Sequence, residues 1–190
     1  AYSYQDMFTT FQKKITADAI STMQIKGGLM YDISENISLF GNYGLVEKPP
    51  ILDNIIYYDG TVASNPVNEK FNSMEFGVNY NSSKYALKVN YYDTQWKDRN
   101  LTKSVTTGQG SSGDTDVIFL TGVDQSHTGI EIEGSAQLID ILRLDFAASF
   151  GTWKFADDAS GIYTDYSEET TTQTQYSYAL KDLWVGDMPQ

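Results

Sequence analysis

One histidine, His127, and no cysteine occur in 190 residues. Those two counts remove most metal and nucleophile chemistry. There can be no multi-histidine metal site, thiolate ligand or cysteine nucleophile, and a Ser-His-Asp relay would have to run through His127. In QSHTGIEIE that histidine opens an alternating run, where a plain interfacial residue is the simpler reading. Carboxylates stand at Glu75, at Glu131 and Glu133, in GDTD at 113–116 and in DD at 157–158. The last two groups have the charge for Ca²⁺ but not the regular ligand spacing of a dedicated loop, which leaves solvated acidic loops. KGGL at 26–29 lies inside a strand pattern, where glycine marks a bend or close packing and not a phosphate cradle. No catalytic residue, cofactor site or metal site is assigned.

The balance of 13 basic against 25 acidic residues, a net charge of -12, argues against nucleic acid as a partner. Such a chain has no surplus of Lys and Arg to displace counterions from phosphates. Its length suits one sizeable domain. With 14 Tyr, 9 Phe and 3 Trp, the composition fits either a soluble antiparallel β protein or an outer-membrane barrel, whose headgroup level favours Tyr and Trp. No run approaches the roughly 18 to 20 apolar residues of a transmembrane helix. Nor does a basic start, apolar core and small-residue cleavage site mark a signal peptide. A chain beginning AYSYQDMF, without an initiator methionine, is expected to be the interior of something longer.

What must position the side chains is a set of strands, read from the period of two along the chain. In 72–80 the even positions Met74, Phe76, Val78 and Tyr80 are apolar, against Ser73, Glu75, Gly77 and Asn79. After the break NSSK, Tyr85, Leu87, Val89 and Tyr91 alternate with Lys88 and Asn90. That is a hairpin with a tight polar turn. Residues 128–150 repeat it: Ile130, Ile132, Ala136 and Leu138 against Glu131 and Glu133, then Leu142, Leu144, Phe146, Ala148 and Phe150 against Arg143 and Asp145. An earlier copy uses Met23, Ile25, Leu29, Tyr31 and Ile33, the turn SEN, and Ile37, Leu39, Tyr43 and Leu45. Residues 7–20 place Met7, Phe8, Phe11 and Ile15 at near-helical spacing.

The connections at about 46–69, 99–126 and 155–183 differ in kind, being long, polar and rich in Gly, Ser, Thr, Asp and Asn. Short turns at one end of the strands and long loops at the other is the asymmetry of outer-membrane barrels. The runs are also long enough for a strand crossing a bilayer at about 45°, which requires roughly 9 to 11 residues. Soluble sandwiches share the alternation, so the weight rests on length, loop asymmetry and aromatics together. The expected fold is all-β, an antiparallel transmembrane barrel segment. Its lipid face would carry Met74, Phe76, Val78, Leu87, Val89, Ile130, Ile132, Leu144 and Phe146. Its lumen face would carry Glu75, Asn79, Lys88, Asn90, Glu131, Glu133, Arg143 and Asp145.

The wording of the chain supplies a resemblance. KGGLMYDISENISLFGNYGLVEKPPILDNII, NPVNEKFNSMEFGVNYNSSKYALKVNYYDTQWKD, LTGVDQSHTGIEIEGSAQLIDILRLDFAASFGTWKF and WVGDMPQ resemble, in order, segments of the barrel of a TonB-dependent outer-membrane receptor. The branch whose larger members carry an N-terminal carboxypeptidase-regulatory-like domain is the most similar, over about residues 20–190. This resemblance implies a barrel of about 22 strands closed round a plug domain, of which the present chain would supply about seven or eight and none of the plug. It suggests that residues 7–20 are a loop entering a strand. Glu69 and Glu75 match its acidic strand openings, and Gly129 with Glu131 its G-x-E opening. Glu75, Glu131 and Glu133 would then line the lumen against the plug, although an ordinary water-facing role is equally open to them.

Implied with the family is uptake of a scarce nutrient, such as a ferric siderophore, cobalamin, an oligosaccharide or a peptide, in the outer membrane of a Gram-negative bacterium. Its partners would be outer-membrane lipids, the plug and remaining strands, the inner-membrane TonB complex and a surface lipoprotein. No bond-breaking step is involved. The competing reading is a β-rich adhesin or carbohydrate-binding module. Tyr57, Tyr58, Trp96 and Trp153 are the aromatic candidates for loops that meet a substrate, and packing or a membrane girdle would suit them equally.

Overall fold

The computed structural model describes residues 14–56, 60–107, 114–165 and 172–186. Eight strands form one antiparallel sheet: β1 (Gln24–Asp32), β2 (Ile37–Lys48), β3 (Glu69–Asn81), β4 (Tyr85–Thr107), β5 (Asp114–Ile139), β6 (Leu142–Phe155), β7 (Ala159–Asp165) and β8 (Thr172–Tyr178). Strands β1 to β6 pair in sequence order, and β7 joins the upper part of β5 above β6. Because β6 pairs with β5 from Ile139 up to Gln125 and β7 from Thr121 up to Val117, the two act as one long strand broken at residues 156–158.

Three short turns lie side by side at one end. Ser82 N donates to Tyr85 O at 2.8 Å and Tyr85 N to Ser82 Oγ at 3.0 Å, which closes the β3–β4 turn within three residues. Neighbouring turns are stitched together: Asn81 N donates to Asn36 O and Gln137 N to Lys84 O, both at 2.8 Å. Fixed turns at one end fix the register, and register decides which face each side chain takes.

At the other end the sequence expectation changes. Much of the connection read as loop at 99–126 is strand, so β4 runs for 23 residues and β5 for 26. Likewise β7 and β8 arise within the stretch 155–183. Runs such as LTKSVTT and TDVIF are rich in β-branched residues and pair with each other, so their polarity does not prevent a ladder. The count of eight is therefore completed by this extension. Residues 14–23 are not helical; Met7, Phe8 and Phe11 lie outside the described residues. Ala17 packs with Ile55 and Ile56, flanked by Ile15 and Ile20.

Two bulges sit where the extension begins. One places an extra residue on β4 at Asp98, whose φ of 55° is held as its N–H donates to Asp124 Oδ1 at 2.9 Å. The other lies on β5 at Gly122, φ 66°. With one extra residue on each strand the offsets cancel, so Leu101 faces Leu120 and the alternation resumes in phase. A Cβ at Gly122 would meet nothing within 4 Å, so only its left-handed backbone opposes a side chain. Gly122→Ala should therefore cost about 1 kcal/mol. Amide exchange at 114–121 should quicken about fivefold while that at 130–138 is unchanged.

Candidate wall, rim and tyrosine ladder

Register sorts the side chains onto two faces. One row runs Tyr43, Met74, and another Gly41, Phe76, Tyr91, Ile130, Phe150; below them come Leu39, Val78, Val89, Ile132, Ala148 and then Tyr80, Leu87, Gly134, Phe146. Leu144 continues this face opposite Ala136. Apolar side chains on it stay open, Leu29 at 84% and Phe150 at 68%, and the buried apolar residues, Ala17, Ile55, Ile56, Val123, Trp153 and Ala159, all lie outside it. Nothing among the described residues covers this face. On β5 the apolar stretch spans Ile130 to Leu138, roughly 20 Å of height at a tilt of about 45°, of the order of the ~25 Å apolar band of a membrane barrel. Above it the same face turns polar, with Gln95 Nε2 donating to Ser126 Oγ at 2.8 Å and Thr128 Oγ1 to Asp93 Oδ2 at 3.2 Å.

The opposite face gathers Glu75, Asn79, Lys88, Asn90, Glu131, Glu133, Arg143 and Asp145. Met30 of β1 and Arg143 and Asp145 of β6 line one hollow of about 730 Å³ with Lys88 and Glu133, so the sheet curls toward this face. Arg143 pairs with Asp145 at 2.7 Å, but both are more than half exposed, which makes the pair worth little. Lys88 Nζ lies 5.4 Å above the Phe40 ring. Asn90 differs from the rest: it is 5% exposed and its Oδ1 has no hydrogen-bond partner.

Aromatic rings on the curled-in face roof the glycines of neighbouring strands. Phe40 lies over Gly77, and Tyr92 over the Gly129–Gly151 pair, where an added Cβ would stand 2.6 and 2.8 Å from its hydroxyl. Such pairs fill the gap that a glycine leaves in a pleated face.

A rim of polar and aromatic groups crosses the same face where the bulges begin. Phe71 meets Trp96 edge-on with centroids 5.9 Å apart, and the Arg99 guanidinium lies 4.2 Å from the Trp96 ring centre. Arg99 Nη1 donates to Gln125 Oε1 at 3.2 Å, and His127 Nε2 lies 3.2 Å from the same oxygen. Burial, and after it the Arg99 charge, holds the His127 imidazole below its ordinary 6.5. In the tautomer protonated at Nε2, that N–H donates to Gln125 Oε1. Among the described residues the partner of Nε2 is thus an amide oxygen and not a serine or a carboxylate. Glu69, 3% exposed, accepts from Asn100 N at 3.3 Å and meets Lys48 Nζ at 3.5 Å.

The aromatic candidates fare differently from one another. Tyr57 and Tyr58 lie outside the described residues. Trp96 and Trp153 are strand residues of β4 and β6, not loop residues, and Trp153 is only 5% exposed. Its ring leans over Gly151, so packing accounts for it. Missing from the sequence reading were three tyrosines on the extension. Tyr176 contacts Tyr163 at 6.2 Å, nearly perpendicular, and Tyr178 at 6.5 Å, tilted by 55°. Tyr178 also lies over Gly161 beside Leu120. Because the bulges cancel, this ladder continues the curled-in face. The spacing of two in QYSY was the available signal, hidden in a segment read as loop.

A sheet curling toward a polar face, with its apolar face bare and its short turns all at one end, is the architecture of a membrane barrel wall. The chain belongs to the TonB dependent receptor-like, beta-barrel family, whose model matches residues 4–187. No curated protein and no solved structure matches it. Among the described residues no helix is long and apolar enough to cross a membrane, and no group of three or more acidic or histidine side chains is placed to hold a metal.

Proposed function

We propose that this sheet is one section of the wall of an outer-membrane receptor that binds a scarce nutrient on its outer side and admits it through a plugged barrel. The observation that carries the reading is the uncovered apolar face backed by a charged, inward-curling one. Water is a poor solvent for the first and lipid for the second. In this account Met74, Phe76, Val78, Leu87, Val89, Ile130, Ile132, Leu144 and Phe146 contact acyl chains. Glu75, Asn79, Lys88, Asn90, Glu131, Glu133, Arg143 and Asp145 face the lumen and a plug supplied by residues outside this sheet.

Edge strands support the same conclusion. The outer side of β1, and of β6 below Trp153, has no partner strand among the described residues. Unpaired ladder groups in hydrocarbon cost several kcal/mol each. Further strands therefore pair here in the membrane, as in a larger barrel of this family. Energy for release of the nutrient comes in this reading from the inner-membrane TonB complex acting on the plug, in a Gram-negative cell, and no covalent bond is broken. The test is fractionation of the intact protein. It should sediment with the outer membrane, require detergent for extraction and migrate differently on gels before and after boiling. Recovery as a soluble monomer with a cooperative melt in buffer would overturn the proposal and favour the adhesin reading.

A further inference from the structure

We propose that the Tyr163–Tyr176–Tyr178 ladder is a stacking platform for a neutral oligosaccharide, an inference that rests on the receptor reading above and names its substrate class. Three features of the ladder point to a ligand with flat, uncharged rings. The first is availability. Tyr176 is 47% exposed, whereas Trp153, which would otherwise be the natural stacking residue, is buried by the wall. Preorganisation is the second: Tyr176 is gripped between Tyr163 on β7 and Tyr178 on its own strand, and Tyr178 rests over Gly161 and Leu120. Rings already held in place lose little freedom when a ligand arrives.

Charge is the third feature. In a chain of net charge -12, the turn that leads into β7 carries the exposed pair Asp157 and Asp158. Asp157 Oδ1 accepts from Asp158 N at 2.9 Å, and Asp158 Oδ1 from Lys181 N at 3.0 Å, so both carboxylates are held beside the extension. An anionic ferric chelate would approach these two carboxylates against their charge. A sugar would not. Its C–H faces suit tyrosine rings, and its hydroxyls can exchange hydrogen bonds with phenol groups that both donate and accept. The ladder shares the curled-in face with Trp96 and Arg99, on strands β7 and β8 that flank the upper part of β5 on the side away from β4, so a captured ligand would next meet that rim across β5.

The experiment uses the complete receptor purified in detergent, titrated calorimetrically with malto-, xylo-, cello- and mannohexaose and, separately, with an anionic ferric tris-catecholate. At least one hexaose should bind and the chelate should not. The Tyr163→Ala/Tyr176→Ala double variant should weaken that hexaose at least tenfold, and Tyr176→Phe should stay within about threefold of the parent, since it keeps the ring. Boiling-dependent gel migration of each variant reports that the barrel is intact. An intact barrel that binds no hexaose, binds the chelate in preference, or binds a hexaose equally well without the two rings would overturn the ladder proposal and leave the receptor reading standing. A protein that never enters the outer membrane would overturn both.

Discussion

Ala148→Arg should strongly destabilise the assembled wall, whereas Ala147→Arg should be nearly silent. Both positions are exposed alanines on β6, so the wild-type residue, the substitution and the strand are the same in the two experiments. They differ in face: Ala148 stands opposite Ile132 in the apolar rows, and Ala147 opposite Glu133. A guanidinium on the lipid face near the midplane costs about 2–4 kcal/mol, and Ala148 lies within that apolar stretch. At Ala147 the charge gains a wet lumen and an opposing carboxylate, so the change should remain within about 0.5 kcal/mol. Folding into lipid vesicles, followed by urea titration, measures the difference directly. Asn90 would be a poorer water-side control, because at 5% exposure it has no room for a long side chain.

Gly77→Val should be the most damaging change on the curled-in face. A Cβ there would press on the Val89 carbonyl oxygen and on the Phe40 ring, 2.7 Å away. Overpacking of this kind costs about 1–3 kcal/mol. The ring can be removed but the carbonyl belongs to the ladder between β3 and β4. Adding Phe40→Ala to Gly77→Val should therefore restore only part of the loss, and full rescue would show that the carbonyl contact is relieved by a small strand shift. Gly44, on a strand paired on both sides, is the internal control. Its missing Cβ would meet only Lys26 Cγ at 3.8 Å, so Gly44→Val should be tolerated.

The contrast between those glycines was not readable in the sequence, since it depends on which ring a neighbouring strand brings across. The two-faced sheet was readable. Met74, Phe76 and Val78 against Glu75 and Asn79 announce a strand with two environments, and the register keeps every such residue on its own side. The same signal fails at the upper ends of β4 and β5. There LTKSVTT mixes polar residues into both alternate positions and VIFL is apolar in both, so the period of two fades although the ladder continues. Strands without a two-faced alternation were therefore read as loops, and the tyrosine ladder was lost with them. Trp153, a large aromatic near a long connection, was open to ligand contact or to packing, and its ring leans on Gly151.

The two faces of this sheet are expected to meet two solvents. The chain has no cysteine, so single cysteines placed in turn along Leu142–Phe150 can each carry one spin label without removing any native thiol. In the receptor folded into lipid vesicles, collision with dissolved oxygen and with a water-soluble nickel chelate should alternate with a period of two. Positions 144, 146 and 148 should favour oxygen, and 143, 145 and 147 the chelate. Equal access of the chelate to both sets would contradict the claim that one face of this wall is held in lipid.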